Sequence, residues 1–329
     1  MTAQAPTLPS GVIVQTINRP PRSLWGDAWH RLLRNKAAIL GALVILFFVV
    51  VALFAPLIAP HNPLKIYSGK GSLPPAWEAR GPTGKAGESQ FLFGTDSLGR
   101  DVLSRAIYGA RVSLMVGLIP AVIILLIGVV VGLVAGYYGK GVDNALMRFG
   151  DVIYAFPDLL FFIIVMAALR ETPIGQAMNG MLLLFVALSI VNWVGLARLV
   201  RGQVLSLKQK EFVEAGRMIG AGSTRIMWRH LLPNCMGVII VSMAFRIPAL
   251  IITEAILGYL GLGLRPSTDP RAAFITSWGS LLLDGQSSIN AQPFLLLVPA
   301  ICVALVVLAF NYVGDGLRDA LDPRMAGTE

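Results

Sequence analysis

The chain has 329 residues, of which 55% are hydrophobic and only 14% charged, and its formal net charge is +9. A soluble globular domain carries about 25% charged residues, so this composition excludes an ordinary soluble enzyme and points to a polytopic membrane protein. The positive excess does not make a nucleic-acid surface, because Lys and Arg flank apolar runs instead of gathering on one face with stacking aromatics.

The N-terminal tail, residues 1–36, places Trp25, Trp29, Leu32 and Leu33 at helical spacing among Arg31, Arg34 and Lys36, which predicts a short helix in the headgroup layer. The first apolar run, 37–59, is too long for a signal-peptide core and follows a basic tail, so it reads as an uncleaved membrane helix. Residues 60–110 form the loop beyond it. Within that loop, residues 79–89 faintly mimic a phosphate loop, but Ala79 replaces the required first Gly and no Ser or Thr follows Lys85, so the match is rejected.

Residues 93–114 predict a short external helix on the membrane surface. Asp96 and Arg100, and Asp101 and Arg105, stand four apart as ion pairs, with Leu98, Val102 and Ala106 on a shared face. It serves either as an anchor or as a surface meeting a substrate-delivering protein.

Further spans are expected at 112–137, 152–169, 181–203, 235–261 and 294–314, making six in all, with a tail at 315–329. The stretch 181–203 is the least apolar, since it contains Asn192 and ends in Arg198 and Arg201. Gly128, Gly132 and Gly136 stand four apart, a spacing for close helix approach, either to another subunit or within this chain. Six spans put both termini on one side. Sixteen Lys and Arg residues fall on that side and ten on the other, which makes it the cytoplasmic one.

Three ionisable residues fall within spans: Asp158, Arg246 and Glu254. Such groups are costly in a bilayer and mark pathway or gate candidates, or else buried structural pairs; Arg246 and Glu254, eight apart, share a helix face. Cys235 and Cys302 lack metal-like spacing, and His30, His61 and His230 are scattered, so neither a disulfide framework nor a metal site is expected. No nucleophile–base constellation and no nucleotide motif is present, so energy must come from a partner or an ion gradient.

Between the fourth and fifth spans lies a charged insert, residues 206–233. Capping-box spacing at Ser206 predicts a helix start. Phe212, Ala215 and Ile219 then form an apolar stripe opposite Lys210, Glu214 and Arg217. Gly220-Ala221-Gly222 breaks the helix, Ser223 or Thr224 caps a second one, and Pro233 ends it. The product is a helix–turn–helix elbow, read from spacing alone either as a functional surface or as a plain connector.

Glu214-Ala215-Gly216, three residues, Gly220, and then Leu232-Pro233 resemble the EAA loop of ATP-binding-cassette importer permeases, whose pattern is EAA, three residues, G, nine residues, I, one residue, LP. This chain departs at Gly216 and at His230, which stand at the motif's second Ala and its Ile. Residues 93–114, the N-terminal region, 252–263 and 311–324 are similar to the dipeptide, oligopeptide and nickel branch, specifically its C-type subunit.

The resemblance implies an all-α, type I importer permease fold of six membrane helices with a cytoplasmic coupling helix between the fourth and fifth. Glu214, Ala215, Gly216, Gly220, Leu232 and Pro233 would then form the ATPase-docking loop. It further implies a homologous second permease, two ATPase subunits carrying the ATP and Mg, an extracytoplasmic binding protein, and a bacterial or archaeal inner membrane. No cofactor or enzymatic activity is expected in this chain. The cargo expected is a di- or oligopeptide, with nickel or another small solute as the alternative. An ion-coupled secondary transporter or a non-transporting scaffold are the readings from other classes.

Overall fold

Apolar runs too long for a globular core set the architecture. The computed structural model describes residues 24–265, 267 and 274–322, and its regular structure is helical. Among the described residues the only strand-like feature is an isolated bridge between Thr95 and Asp101. The helices are α1 (Leu24–Arg34), α2 (Lys36–Leu53), α3 (Ala55–Ile58), α4 (Val102–Tyr138), α5 (Lys140–Tyr154), α6 (Asp158–Leu169), α7 (Pro173–Gln176), α8 (Met181–Leu207), α9 (Glu211–Met218), α10 (Ser223–Ile226), α11 (Leu232–Tyr259), α12 (Trp278–Ser287) and α13 (Phe294–Leu321).

Five stretches are long and apolar enough to cross a membrane: α2, α4, Pro173–Leu207, Ser223–Tyr259 and α13. A sixth exists only as the pair α5 and α6, bent by 74° at their junction. The straight span expected at 152–169 is thus corrected to a broken one. Pro157 disfavours helix at Phe156 and brings no amide donor, so the chain leaves the helix and restarts at Asp158, with Pro157 itself extended at ψ 124.

The stretch expected to be the weakest span is the most deeply buried in this chain. It is also the least apolar of the five stretches, as expected, and it is buried because its polar groups have protein partners. Ser189 and Asn192 hydroxyl and amide groups donate to carbonyls one turn back, at Phe185 (2.7 Å) and Leu188 (2.8 Å). Near its end, Arg201 makes a two-pronged pair with Asp143 of α5, Nη2 to Oδ2 being 2.6 Å, and Arg198 reaches Asp151 at 2.6 Å.

The glycine ladder of α4 resolves between its two readings in favour of packing within the chain. A Cβ at Gly132 would stand 2.6 Å from the Ala197 carbonyl oxygen, and at Gly128 and Gly136 it would meet Leu196 at 2.9 Å and Val204 at 2.7 Å. Small residues therefore let α4 and α8 lie backbone to backbone. A second apolar cluster joins α2, α4, α11, α12 and α13 around Trp278, which is fully buried, donates to the Ala106 carbonyl at 3.0 Å and meets Phe48 edge-on at 5.5 Å.

The loop 59–101 and α12 gather at one end of the bundle, tied by Gln292, whose amide donates to the carbonyls of Leu73 and Phe93. The other end holds α1, α9 and the close of α13: Gly316 packs on Leu32 and Ala38, and Gly237 faces Leu321. The predicted N-terminal surface helix is present as α1, with Trp29 and Leu33 exposed; the Trp25 side chain lies outside the described residues.

Candidate functional site

The elbow is built from one short helix and a long one. Helix α8 runs through Ser206 to Leu207, so the helix start expected at Ser206 is corrected: that serine sits in the last turn of α8, and Lys208 closes it, donating to the Gly136 carbonyl at 2.9 Å. Helix α9 begins at Glu211 with no side-chain cap at Lys210. Glu211 and Glu214 in its first turn and Arg217 in its last complement the helix dipole.

The face that α9 buries is not the one the stripe predicts. Val213 and Gly216 turn inward, while Phe212, Ala215 and Ile219 are exposed. Val213 is 0% exposed, whereas Met218 and Ile219 are 88% and 85% exposed. Periodicity identifies an apolar stripe but not which side covers it. This stripe is an uncovered apolar tip beside the exposed Glu214, which enters no ion pair among the described residues.

The break at Gly220 is a Schellman stop. Gly220 has φ +80, Ala221 N–H donates to the Gly216 carbonyl at 3.0 Å, and Gly220 N–H donates to that of Arg217 at 3.0 Å. Beyond it the expected second helix is corrected. Gly222 stands at its N-cap with no side-chain cap from Ser223 or Thr224. The segment Ser223–Tyr259 then continues unbroken through a π turn at Met227–Leu231, with Leu232 half-buried and Pro233 exposed in the first turn of α11. The widened π turn tolerates Pro233, whose ring and missing N–H disrupt an ordinary α turn. Ile226 and Leu231 anchor this arm in the core, and Trp228 faces outward.

The intramembrane groups do not form the pair that their spacing allows. Arg246 donates to Asn192 Oδ1 at 3.0 Å, whereas Glu254 is fully buried and accepts from the Ser113 hydroxyl at 3.0 Å. Ser113 also receives the Trp278 N–H at 3.2 Å. Eight residues along a helix span about 12 Å, and each group found a nearer partner on another helix. Asp158 is the first residue of α6, at the 74° bend.

The predicted external helix at 93–114 is corrected to a loop followed by a helix continuous with the second span. Asp101, extended at ψ 121, caps α4 by accepting from the Ser104 N–H at 2.9 Å. Asp96 pairs with Arg100 at 2.6 Å as the spacing predicts, but Arg105 reaches Asp96 at 2.7 Å and Asp284 at 2.9 Å instead of Asp101. Asp96 and Arg105 are almost wholly buried, so this cluster locks the loop onto α4 and α12.

Residues 128–327 match the family described as binding-protein-dependent transport system inner membrane component. The chain belongs to that family. Residues 23–75 match the N-terminal TM domain of oligopeptide transport permease C. The dipeptide transport system permease protein DppC of Bacillus subtilis (strain 168) is 41% identical over 311 residues, 94% of this chain and 89% of that protein. The oligopeptide transport system permease protein OppC of the same organism is 38% identical, covering 94% and 93%. The di/tripeptide transport system permease protein DppC of Pseudomonas aeruginosa (strain UCBPP-PA14) is 37% identical, covering 91% and 92%. A chain of the methionine ABC transporter MetNI aligns with 66% of this chain and 95% of its own length, at TM-score 0.49 and 15% identity.

Within this permease, the two departures from the EAA pattern lie face to face: a Cβ at Gly216 would stand 4.0 Å from His230 Nε2. The sequence had no signal for Asp284 as the partner of Arg105, 179 residues away, nor for Asp143 and Asp151 as partners of α8. Those carboxylates are visible in sequence only as isolated charges.

Proposed function

We propose that this permease is one transmembrane subunit of an ATP-driven, binding-protein-dependent importer and forms the translocation pathway for di- or oligopeptides with a second, homologous permease. The observation that carries the reading is the uncovered apolar tip of α9, Phe212, Met218 and Ile219 beside Glu214, held on an arm that Val213, Ile226 and Leu231 root in the core. An exposed apolar patch rimmed by charge marks a docking surface, and on this reading two ATPase subunits, bearing the ATP and Mg, are the partners that cover it. The relatives' names supply the cargo class.

The excess of Lys and Arg on the elbow side of the chain supports a cytoplasmic side for the elbow and for both chain termini. The loop end, with Asp96, Arg100, Asp101 and Arg105 fixed against α12, then meets the binding protein. The chain itself carries out no chemistry. ATP-driven closure of the ATPases pushes on α9, and the load passes through the hydrogen-bonded turn at Gly220 into the continuous segment Ser223–Tyr259.

The test is reconstitution of the chain with a second permease, both ATPases and the binding protein in vesicles. ATP-dependent uptake of a labelled dipeptide that requires the binding protein is expected. Uptake driven by an ion gradient without the ATPases contradicts the reading, and ATP-dependent uptake of nickel but of no peptide replaces the cargo.

A further inference from the structure

Arg246 lies near the middle of the α11 span, where a charge is costly unless it meets a polar partner or water. Its guanidinium donates to Asn192 Oδ1 at 3.0 Å, and among the described residues no carboxylate pairs with it. Asn192 is a neutral acceptor whose amide nitrogen is spent on the Leu188 carbonyl at 2.8 Å, so its oxygen is turned toward the cation without cancelling the charge. Gly195, one turn further along α8, leaves room for the group: a Cβ there would stand 3.2 Å from Arg246 Nη2.

The face of α11 that bears Arg246 is incompletely covered and carries two hydroxyls, of which that of Thr253 donates to the Ala249 carbonyl at 2.9 Å. Ser242, Ala249 and Thr253 stand four before, three after and seven after it, on one side of the helix. Ala249 is exposed, and Ser242, Arg246 and Thr253 are only half-buried. A half-buried guanidinium with no carboxylate partner among the described residues is not stable against hydrocarbon; it requires water, cargo or another polar partner.

We infer that Arg246, aimed by Asn192, is an intramembrane subsite for the C-terminal carboxylate of the cargo in transit, an inference that rests on the peptide reading above. A guanidinium presents donors in a fork that matches a carboxylate two-pronged, and among the described residues Asn192 takes one of its contacts. The C-terminal carboxylate is common to linear peptides of every sequence, so this contact is independent of cargo side chains. Asn192 reclaims the guanidinium when the carboxylate leaves, which keeps the site weak enough for passage.

The test uses the complete transporter in vesicles, with the binding protein saturated so that capture does not limit the rate. Maximal uptake of a dipeptide is compared with that of its C-terminal amide. The unmodified transporter is expected to favour the free carboxylate by about tenfold, the worth of one charge-assisted contact. Arg246→Gln should bring the two rates within about twofold. Asn192→Asp, which supplies an internal carboxylate to the same guanidinium, should do likewise with the assembly intact.

Equal rates for acid and amide in the unmodified transporter overturn the subsite, as does unchanged discrimination in Arg246→Gln. Should that variant assemble poorly, unchanged discrimination in Asn192→Asp overturns it instead. Loss of the second permease from both variants reassigns Arg246 to a subunit contact and also overturns it. In each case peptide uptake by the unmodified transporter preserves the function proposed above, whereas absence of any peptide uptake removes that function itself.

Discussion

Gly216 and His230 face one another across the elbow, a Cβ at the glycine reaching to 4.0 Å from the imidazole Nε2. The spacing is an ordinary van der Waals contact, so a methyl fits and a branched chain does not. Gly216→Ala is expected to keep ATPase co-purification and peptide uptake within about twofold of the parent. Gly216→Leu should displace His230, swing α9 out of line and lower co-purification clearly. Equal behaviour of the two variants in a pull-down of the ATPases would show that α9 orientation is not set at this contact.

Gly220 and Gly222 lie two residues apart but differ in backbone. Gly220 sits at φ +80, whereas Gly222 is extended at φ −68 and ψ 159, and neither has a neighbour within 4 Å of a built Cβ. A β-branched residue held at positive φ costs about 1–3 kcal/mol, while the Gly222 conformation is open to valine. Gly220→Val should therefore lose ATPase docking or uncouple hydrolysis from uptake, and Gly222→Val should not. The measurement is ATP hydrolysed per peptide imported, in both variants.

Much of the helical layout was legible because long apolar runs admit little else, and the Gly220 stop was legible because Gly220-Ala221-Gly222 interrupts the helical pattern. The packing side of α9 was not. Phe212, Ala215 and Ile219 repeat at helical intervals as any buried stripe does, yet the covered residues are Val213 and Gly216. Sequence periodicity is blind to whether the partner is the chain itself or another protein. Nor could the roles of Arg105 and Arg201 be read, since their carboxylates come from distant helices. The bend before Asp158 carried its signal in Pro157, inside a run that hydropathy alone makes continuous.

Gly132 tests the α4–α8 contact. A Cβ there would stand 2.6 Å from the Ala197 carbonyl oxygen, which is backbone and cannot step aside cheaply. Gly132→Ala is expected to destabilise the chain by about 1–3 kcal/mol. Gly141→Ala, in open space at the start of α5, should cost nothing. Thermal unfolding of the two purified variants at one scan rate checks this; equal midpoints would mean that the helices are not in backbone contact.

Asp96 and Asp284 share Arg105, but on unequal terms. Asp96 is 1% exposed and also accepts from the backbone N–H groups of Leu98 and Arg100 at 2.9 and 2.8 Å, while the Asp284 side chain is 40% exposed. Removing Asp96 leaves the buried guanidinium with only the exposed Asp284 and frees two backbone N–H groups, at a cost of about 3 kcal/mol; removing the exposed partner costs about 1 kcal/mol or less. Asp96→Ala should thus loosen the loop 59–101 to limited proteolysis, and Asp284→Ala should leave it protected. Cleavage at matching rates in both variants would contradict the lock.

On the proposed reading the ATPases dock at the α9 tip, and Met218, 88% exposed, lies at its outermost point. A cysteine at Met218 in a background free of Cys235 and Cys302 should cross-link to an ATPase subunit in the assembled transporter, with a yield that changes between nucleotide-free and ATP-bound states. A cysteine at Trp77, 58% exposed in the loop 59–101 at the other end, should give none. A transporter that imports peptide at the parent rate while the Met218 cysteine never cross-links to an ATPase in either state would contradict the account.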